Sequence, residues 1–232
     1  MLVAAAVCPH PPLLVPELAG AAAPELDDLR TACSAAVGGL RDAGADEIVV
    51  VGGADRSAAY GAEAAGSLAP WGVDVRSGEG EPVLPLSLTI GRRLLERERL
   101  AASGFHAISF DATPGECAAL GERLAATAGR VAMLVMADGS ACLTEKSPGY
   151  LDPRAKPYDR AIVEALARAE VPALDPVEAA ELWVAGRAAL QVLGGTGTGS
   201  GNGSGNGGGL RGELLYDEAP YGVGYFAVRW TE

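Results

Sequence analysis

The sequence predicts an α/β protein with a mostly parallel central sheet and helices on both of its faces. Three observations carry that prediction. Glu47-Ile48-Val49-Val50-Val51, closed by Gly52-Gly53, and Val131 to Met136 are short continuous apolar runs. Strands buried on both faces of a parallel sheet read this way. Between Leu2–Val7 and Glu47, the residues Leu26, Leu29, Cys33, Ala36, Val37 and Leu40 recur at helical spacing, so strand, helix and strand follow in βαβ order. Finally, 232 residues with 49% apolar content suffice for one large core, although aromatics make up only 5% and Ala, Val and Leu must build it.

Taken in order, Leu2 to Val7 is the first strand, followed by Cys8-Pro9-His10-Pro11-Pro12-Leu13-Leu14-Val15-Pro16-Glu17. Proline fixes φ and removes backbone donors, so this stretch is a rigid loop and neither helix nor interior strand. It presents His10 at the end of the first strand, where open α/β sheets bind ligands. A helix runs from Pro24 to Gly44, whose glycine is a plausible stop. Ala54 to Gly72 reads as a loop of small residues, Val73 to Arg76 as a short strand, and Ser87 to Ala102 as a helix solvated along Arg92 to Arg99. His106 to Phe110 is a strand, Glu116 to Ala128 a helix, and the strand Val131 to Met136 ends in Ala137-Asp138-Gly139-Ser140. Helices follow over Tyr158 to Ala169 and Pro176 to Leu193.

Residues 194–209 are almost pure Gly, Ser, Thr and Asn. Such a segment cannot bury enough apolar area to offset its ordering entropy, and it is expected to be a flexible loop. A GxGxxG match inside it has neither the preceding strand nor the following helix that would give it meaning. Two closing strands, Leu214 to Tyr216 and Tyr225 to Trp230, flank a turn at Asp217 to Gly222, so the loop is an insertion within a single domain spanning 1–232.

A formal net charge of −12 argues against nucleic acid or an anionic membrane as partner. Cys8, Cys33, Cys117 and Cys142 are widely spaced, with no CxxC pair, which disfavours a zinc site and a disulfide scaffold. Leu2 to Val7 is too short and lacks the basic start of a signal segment. No apolar run approaches the ~18 residues of a membrane span. The expected location is the cytoplasm.

For chemistry, the chain lacks a GxSxG elbow and a Walker A sequence. Gly52-Gly53 reads as a tight strand-to-loop turn more than as a phosphate site. His10 with Asp138 and Ser140 supplies the residue types of a nucleophilic triad without any supporting spacing. A metal triad of two histidines and one carboxylate needs ligands converging from several strand ends. His10 suits one position; His106, the only other histidine, opens a strand and so falls at the opposite rim. Asp55, Asp138 and Glu218 stand at strand ends or turns, where each also reads as a cap or turn residue. Spacing alone leaves the metal open.

Cys8-Pro9-His10-Pro11-Pro12-Leu13-Leu14-Val15-Pro16-Glu17 resembles the opening of the LigB-like family of class III extradiol ring-cleavage dioxygenases, related in fold to the Memo proteins. Further stretches resemble that family in order. Val49-Val50-Val51-Gly52-Gly53-Ala54 sits where it has a strand ending in Ser-Pro-His, and Leu84-Pro85-Leu86 resembles its Val-Pro-Leu. Met136 to Leu143 resembles its Gly-Asp-Leu-Ser-His-Arg-Leu. Tyr150-Leu151-Asp152-Pro153-Arg154, with Asp159 beyond, resembles its Tyr-Asp-Pro-Arg-Gly and following Phe-Asp. Tyr221-Gly222-Val223-Gly224-Tyr225 is similar to its closing Phe-Gly-Val-Gly-Tyr. The resemblance implies a three-layer, single-domain α/β fold and oxidative cleavage of catecholic rings with non-haem Fe(II), held by two histidines and a glutamate.

This chain departs from that pattern where the chemistry lies. His10 remains, but the second metal histidine falls at Ala54, the acid-base histidines at about Gly80 and at Ala141, and the acidic ligand at Arg187 within Ala185-Gly186-Arg187-Ala188-Ala189. A guanidinium cannot ligate a metal. Asp55 and Glu181 are the candidate substitutes beside His10, and such a His/Asp/Glu set would suit Zn or Mn as well as Fe. The resulting expectation is a diverged oxidoreductase-family member whose ring-cleaving activity is lost; the alternatives are an active metal-dependent oxidoreductase using those replacement ligands and a small-molecule- or protein-binding module. No cofactor is expected, or Fe(II) if the family site persists in altered form. A cleft lined by Glu17, Asp138 and Ser140 would take a small aromatic ligand, and a homo-oligomer is compatible with the sequence.

Overall fold

The computed structural model describes residues 1–197 and 209–232. Strand β1 (Leu2–Cys8) leads through a 3-10 turn and a one-turn helix α1 (Pro16–Ala19) to α2 (Asp27–Asp42). Then come β2 (Glu47–Ala54), β3 (Ala58–Gly61), the small pair β4 (Gly66–Ser67) and β5 (Arg76–Ser77), and α3 (Leu86–Arg97). Strand β6 (Gly104–Ser109), α4 (Pro114–Ala125) and β7 (Val131–Met136) make the next crossover. Helices α5 (Ala155–Leu166), α6 (Pro176–Glu181) and α7 (Arg187–Gly194) precede the closing strands β8 (Arg211–Glu218) and β9 (Tyr225–Thr231). Most of the expected flexible loop, residues 198–208, lies outside the described residues. Among the described residues no helix is long and apolar enough to cross a membrane.

Seven strands form one sheet in the order β3-β6-β2-β7-β1-β9-β8. Its centre, β6-β2-β7-β1, is parallel, while β3 on one side and β9-β8 on the other run antiparallel. Alternation along the central strands splits the core in two. Val49, Val51, Val131, Met133 and Val135 pack towards α4, α5 and α7, whereas Val50, Ala132, Leu134 and Met136 pack towards α2 and α3. Both faces are therefore buried, which is why these strands carry unbroken apolar runs. The path β1 to β2 to β6 advances in one direction across the sheet, and the return from β6 to β7 carries α4 onto the opposite face, as crossovers of one hand require.

The expected central strands and main helices are present with ends moved by a few residues, and several expectations need correction. The stretch after Cys8, read as free of helix, makes a 3-10 turn at Pro12–Leu14 and opens α1 at Pro16, because a proline in the first turn of a helix has no donor to lose. The short strand expected over Val73 to Arg76 lies at Arg76–Ser77. The segment after Ala54, read as loop, contains β3, whose Ala58 to Gly61 pair with Gly104 to Ala107 of β6. The expected continuous helix over Pro176 to Leu193 is two helices broken at Leu182–Gly186. Hydrogen bonds from the loop after β7 explain the break. Leu182 O accepts from Ala141 N at 3.2 Å and Ser140 Oγ at 2.7 Å, while Gly186 N donates to Asp138 O at 2.9 Å. Trp183 between them adopts a left-handed φ of 53°.

Helix α4 starts at a full capping box, with Thr113 Oγ1 accepting from Glu116 N and Glu116 accepting from Thr113 N. It lies so close to α7 that a Cβ on Gly121 would come 2.1 Å from Val192 O, a backbone atom that cannot swing away. Gly121→Val is expected to cost about 1–3 kcal/mol or more through overpacking, read as a lower urea midpoint. An unchanged midpoint would mean the two helices separate freely.

Candidate functional site at the carboxyl ends of the parallel strands

Register places the first pair of groups. Cys8 of β1 lies opposite Met136 of β7, and Ala137 N donates to Cys8 O at 2.9 Å. Two residues further along each strand, His10 and Asp138 meet. The His10 backbone N–H donates to Asp138 Oδ1 at 2.7 Å, and the ring Nδ1 lies 3.5 Å from the same oxygen. That second approach is an ion-pair distance without hydrogen-bond geometry, so Nδ1 is buried and unpartnered. His10 is only 6% exposed. Tyr225 of β9 is near enough that, after burial, the Asp138 charge helps hold its phenol well above the usual range.

Arg187 closes the neighbouring part of the rim. Its guanidinium is 3% exposed and donates to the carbonyl oxygens of Phe110 and Ala112 and, at 3.0 Å, to Gln191 Oε1. Phe110 and Ala112 follow directly on β6, so the fixed positive charge lies beside the strand ends, held by carbonyl dipoles with no carboxylate salt bridge among the described residues. A Cβ on Gly53 would come 2.5 Å from the Phe110 ring and 3.0 Å from Ala185 O. Glycine there lets the Phe110 ring settle over the end of β2, with part of the ring still open to solvent.

The other sequence candidates are dispersed. Asp55 is exposed just beyond β2. Glu181 is exposed and paired with Arg154 at 2.7 Å, and because the helix breaks after it, Glu181 and Arg187 are on different helices. Glu17 pairs with Arg93 at 2.9 Å on the surface. Ser140 is fully buried; besides bonding Leu182, its hydroxyl accepts from Cys142 N at 3.1 Å. Ala54 and Ala141 are buried small residues. Among the described residues, no three His, Cys, Asp or Glu side chains come together as a metal-binding group. The Fe(II) implied by the resemblance therefore does not fit the donors present: the position of the acid carries Arg187, and the substitutes Asp55 and Glu181 are dispersed or already paired.

Asp159, which the sequence offers only as a landmark, proves to be a buried anchor beneath this rim. Its Oδ1 accepts from Ser140 N at 2.8 Å, while Oδ2 is buried without a partner. Cβ atoms on Gly139 and Gly224 would come 2.7 and 2.1 Å from Oδ2, so both glycines make room for the carboxyl. Burial drives its pKa up to about 7, against the Ser140 N–H bond and with a smaller push from Asp217. In the sequence, the only signal was the pair of glycines in Asp138-Gly139-Ser140 and Val223-Gly224-Tyr225. In comparisons with known proteins, no family model and no curated protein matches this chain.

Proposed function

We propose that this protein is a diverged member of the class III extradiol dioxygenase fold family that does not cleave rings with iron. Its rim at His10 and Asp138 is retained, in this reading, to hold a polar group of a small aromatic ligand. The observation that carries the proposal is Arg187. Where the resemblance puts an acidic metal ligand, this chain has a guanidinium, buried and bonded to the carbonyls of Phe110 and Ala112. Such a group stays charged at any physiological pH, so it opposes a divalent cation at the strand ends instead of drawing one in. The unpartnered Nδ1 of His10 supports a ligand with a hydrogen-bonding group. Four free cysteines, two of them packed in the same core layer, support a reducing, cytoplasmic setting.

The test is metal analysis of protein purified without chelator, together with a catechol-consumption assay after Fe(II) loading. The expected result is metal far below one equivalent per chain and no consumption of catechol, with His10→Ala changing neither. Stoichiometric Fe, Zn or Mn that disappears in His10→Ala would overturn the proposal.

A further inference from the structure

A second polar site, away from the rim, is built around the other histidine. Strand β6 is nearly at the edge of the sheet, with only β3 beyond it, and α4 packs over the same edge. Between them lies a cavity of about 430 Å³. Its walls are mainly apolar, from Ala58, Ile108, Ala119 and Leu120. Two polar groups of α4 and β6, Arg123 and His106, face into it. His106 sits mid-strand, opposite Ala59 of β3 and Val51 of β2, and not at the opposite rim expected from the sequence, because β6 already begins at Gly104. Burial, followed by the Arg123 charge, lowers its pKa below the ordinary 6.5, so the ring is neutral near pH 7 and offers one donor and one acceptor.

Neither group is spent internally. Among the described residues Arg123 has no salt bridge and its guanidinium no hydrogen-bond acceptor, although eleven ion pairs engage other cations or His10. The carboxylate in the same wall, Glu116, keeps its charge, but its Oε2 is turned to the Thr113 backbone N–H and hydroxyl in the capping box. A lone guanidinium and a neutral imidazole over an apolar floor match a ligand with an anionic head and a compact apolar body. Arginine recognises a carboxylate through two parallel hydrogen bonds, and pockets of this size and mainly apolar lining take small organic molecules. We propose that the cavity between β6 and α4 binds a small organic carboxylate, with Arg123 on the carboxylate and His106 as a second hydrogen-bonding group. The proposal is independent of the reading of the rim.

Benzoate is the probe, titrated into the full chain at pH 7 and followed by calorimetry and by the imidazole proton resonances. The chain has two histidines, so the spectrum separates this cavity, through His106, from the rim, through His10. The expected result is saturable binding that moves the His106 resonance and leaves His10 in place. Arg123→Gln, an exposed change that leaves the melting temperature unaltered, should weaken binding about tenfold or more, and Ala119→Trp should abolish it by filling the cavity. Inorganic phosphate, which carries charge without an apolar body, should bind at least tenfold more weakly. No saturation by ~50 mM benzoate, a shift confined to His10, unchanged affinity in Arg123→Gln, or phosphate binding as tight as benzoate would each overturn the proposal.

Discussion

Replacing Asp159 with asparagine should make the protein more stable than the natural chain at pH 8, with the advantage much reduced at pH 5. Asp159 is 8% exposed and its Oδ2 has no partner. Its folded pKa of about 7 stands above the ordinary 3.8. The folded state therefore holds this proton more tightly than the unfolded state does. Stability from this group is fully present below the unfolded value and is lost as pH rises through the folded one. Between pH 5 and 8 that loss is about 3 kcal/mol. Asparagine keeps an oxygen to accept the Ser140 N–H and carries no charge to bury, so its stability curve lacks this component. Urea denaturation of both proteins at pH 5, 6, 7 and 8 measures the difference. Parallel curves would mean that the carboxyl reaches water or a partner in solution.

Trp230→Ala should cost about 3–5 kcal/mol, the range for removing a large aromatic from a close-packed core. The ring is fully buried in the layer that holds Leu2, Leu166 and Phe226. Its indole N–H donates to Leu166 O at 2.7 Å, at the last residue of α5. Alanine thus opens a cavity and removes the indole hydrogen bond, leaving Leu166 O with the Ala169 N–H alone at 3.0 Å. Trp230→Phe retains most of the packing and loses the hydrogen bond, for about 1 kcal/mol plus the difference in ring size. Chemical denaturation of the three proteins at one pH separates the two contributions, and equal costs for Ala and Phe would overturn this account. Helix α5 is consequently tied at both ends, by Trp230 near its C-terminus and by Asp159 near its start.

The layers of the fold were legible because burial on both faces leaves an unbroken apolar run, as in Val49 to Val51 and Val131 to Met136. The helix over α2 was legible from its apolar spacing. What escaped was decided by distant partners. Ala58 to Gly61 has no strand signature of its own, and it is a strand because β6 offers an open edge. Pro176 to Leu193 has the periodicity of one helix, and the loop after β7 breaks it by capturing Leu182 O and Gly186 N. At the rim, the prolines announced that His10 would be presented, but its pairing with Asp138 depends on the register of β1 against β7. Asp159 is an acid in a helix, a setting that ordinarily means solvent. His106 and Arg123 stand on different elements, and only the packing of α4 over the sheet edge brings them to one cavity.

The position of β1 also shapes how the chain must be made. It is the earliest of the sheet's strands to be synthesised, yet it is hydrogen-bonded between β7 and β9, which follow about 125 and 220 residues later. Until β7 has left the ribosome, Leu2 to Val7 has no sheet neighbour, and until β9 follows its second edge stays open. Contacts closed over so long a stretch form slowly. The nascent chain therefore carries an adhesive segment while every other strand of the sheet is being made, and the seven-residue β9 is what retires it.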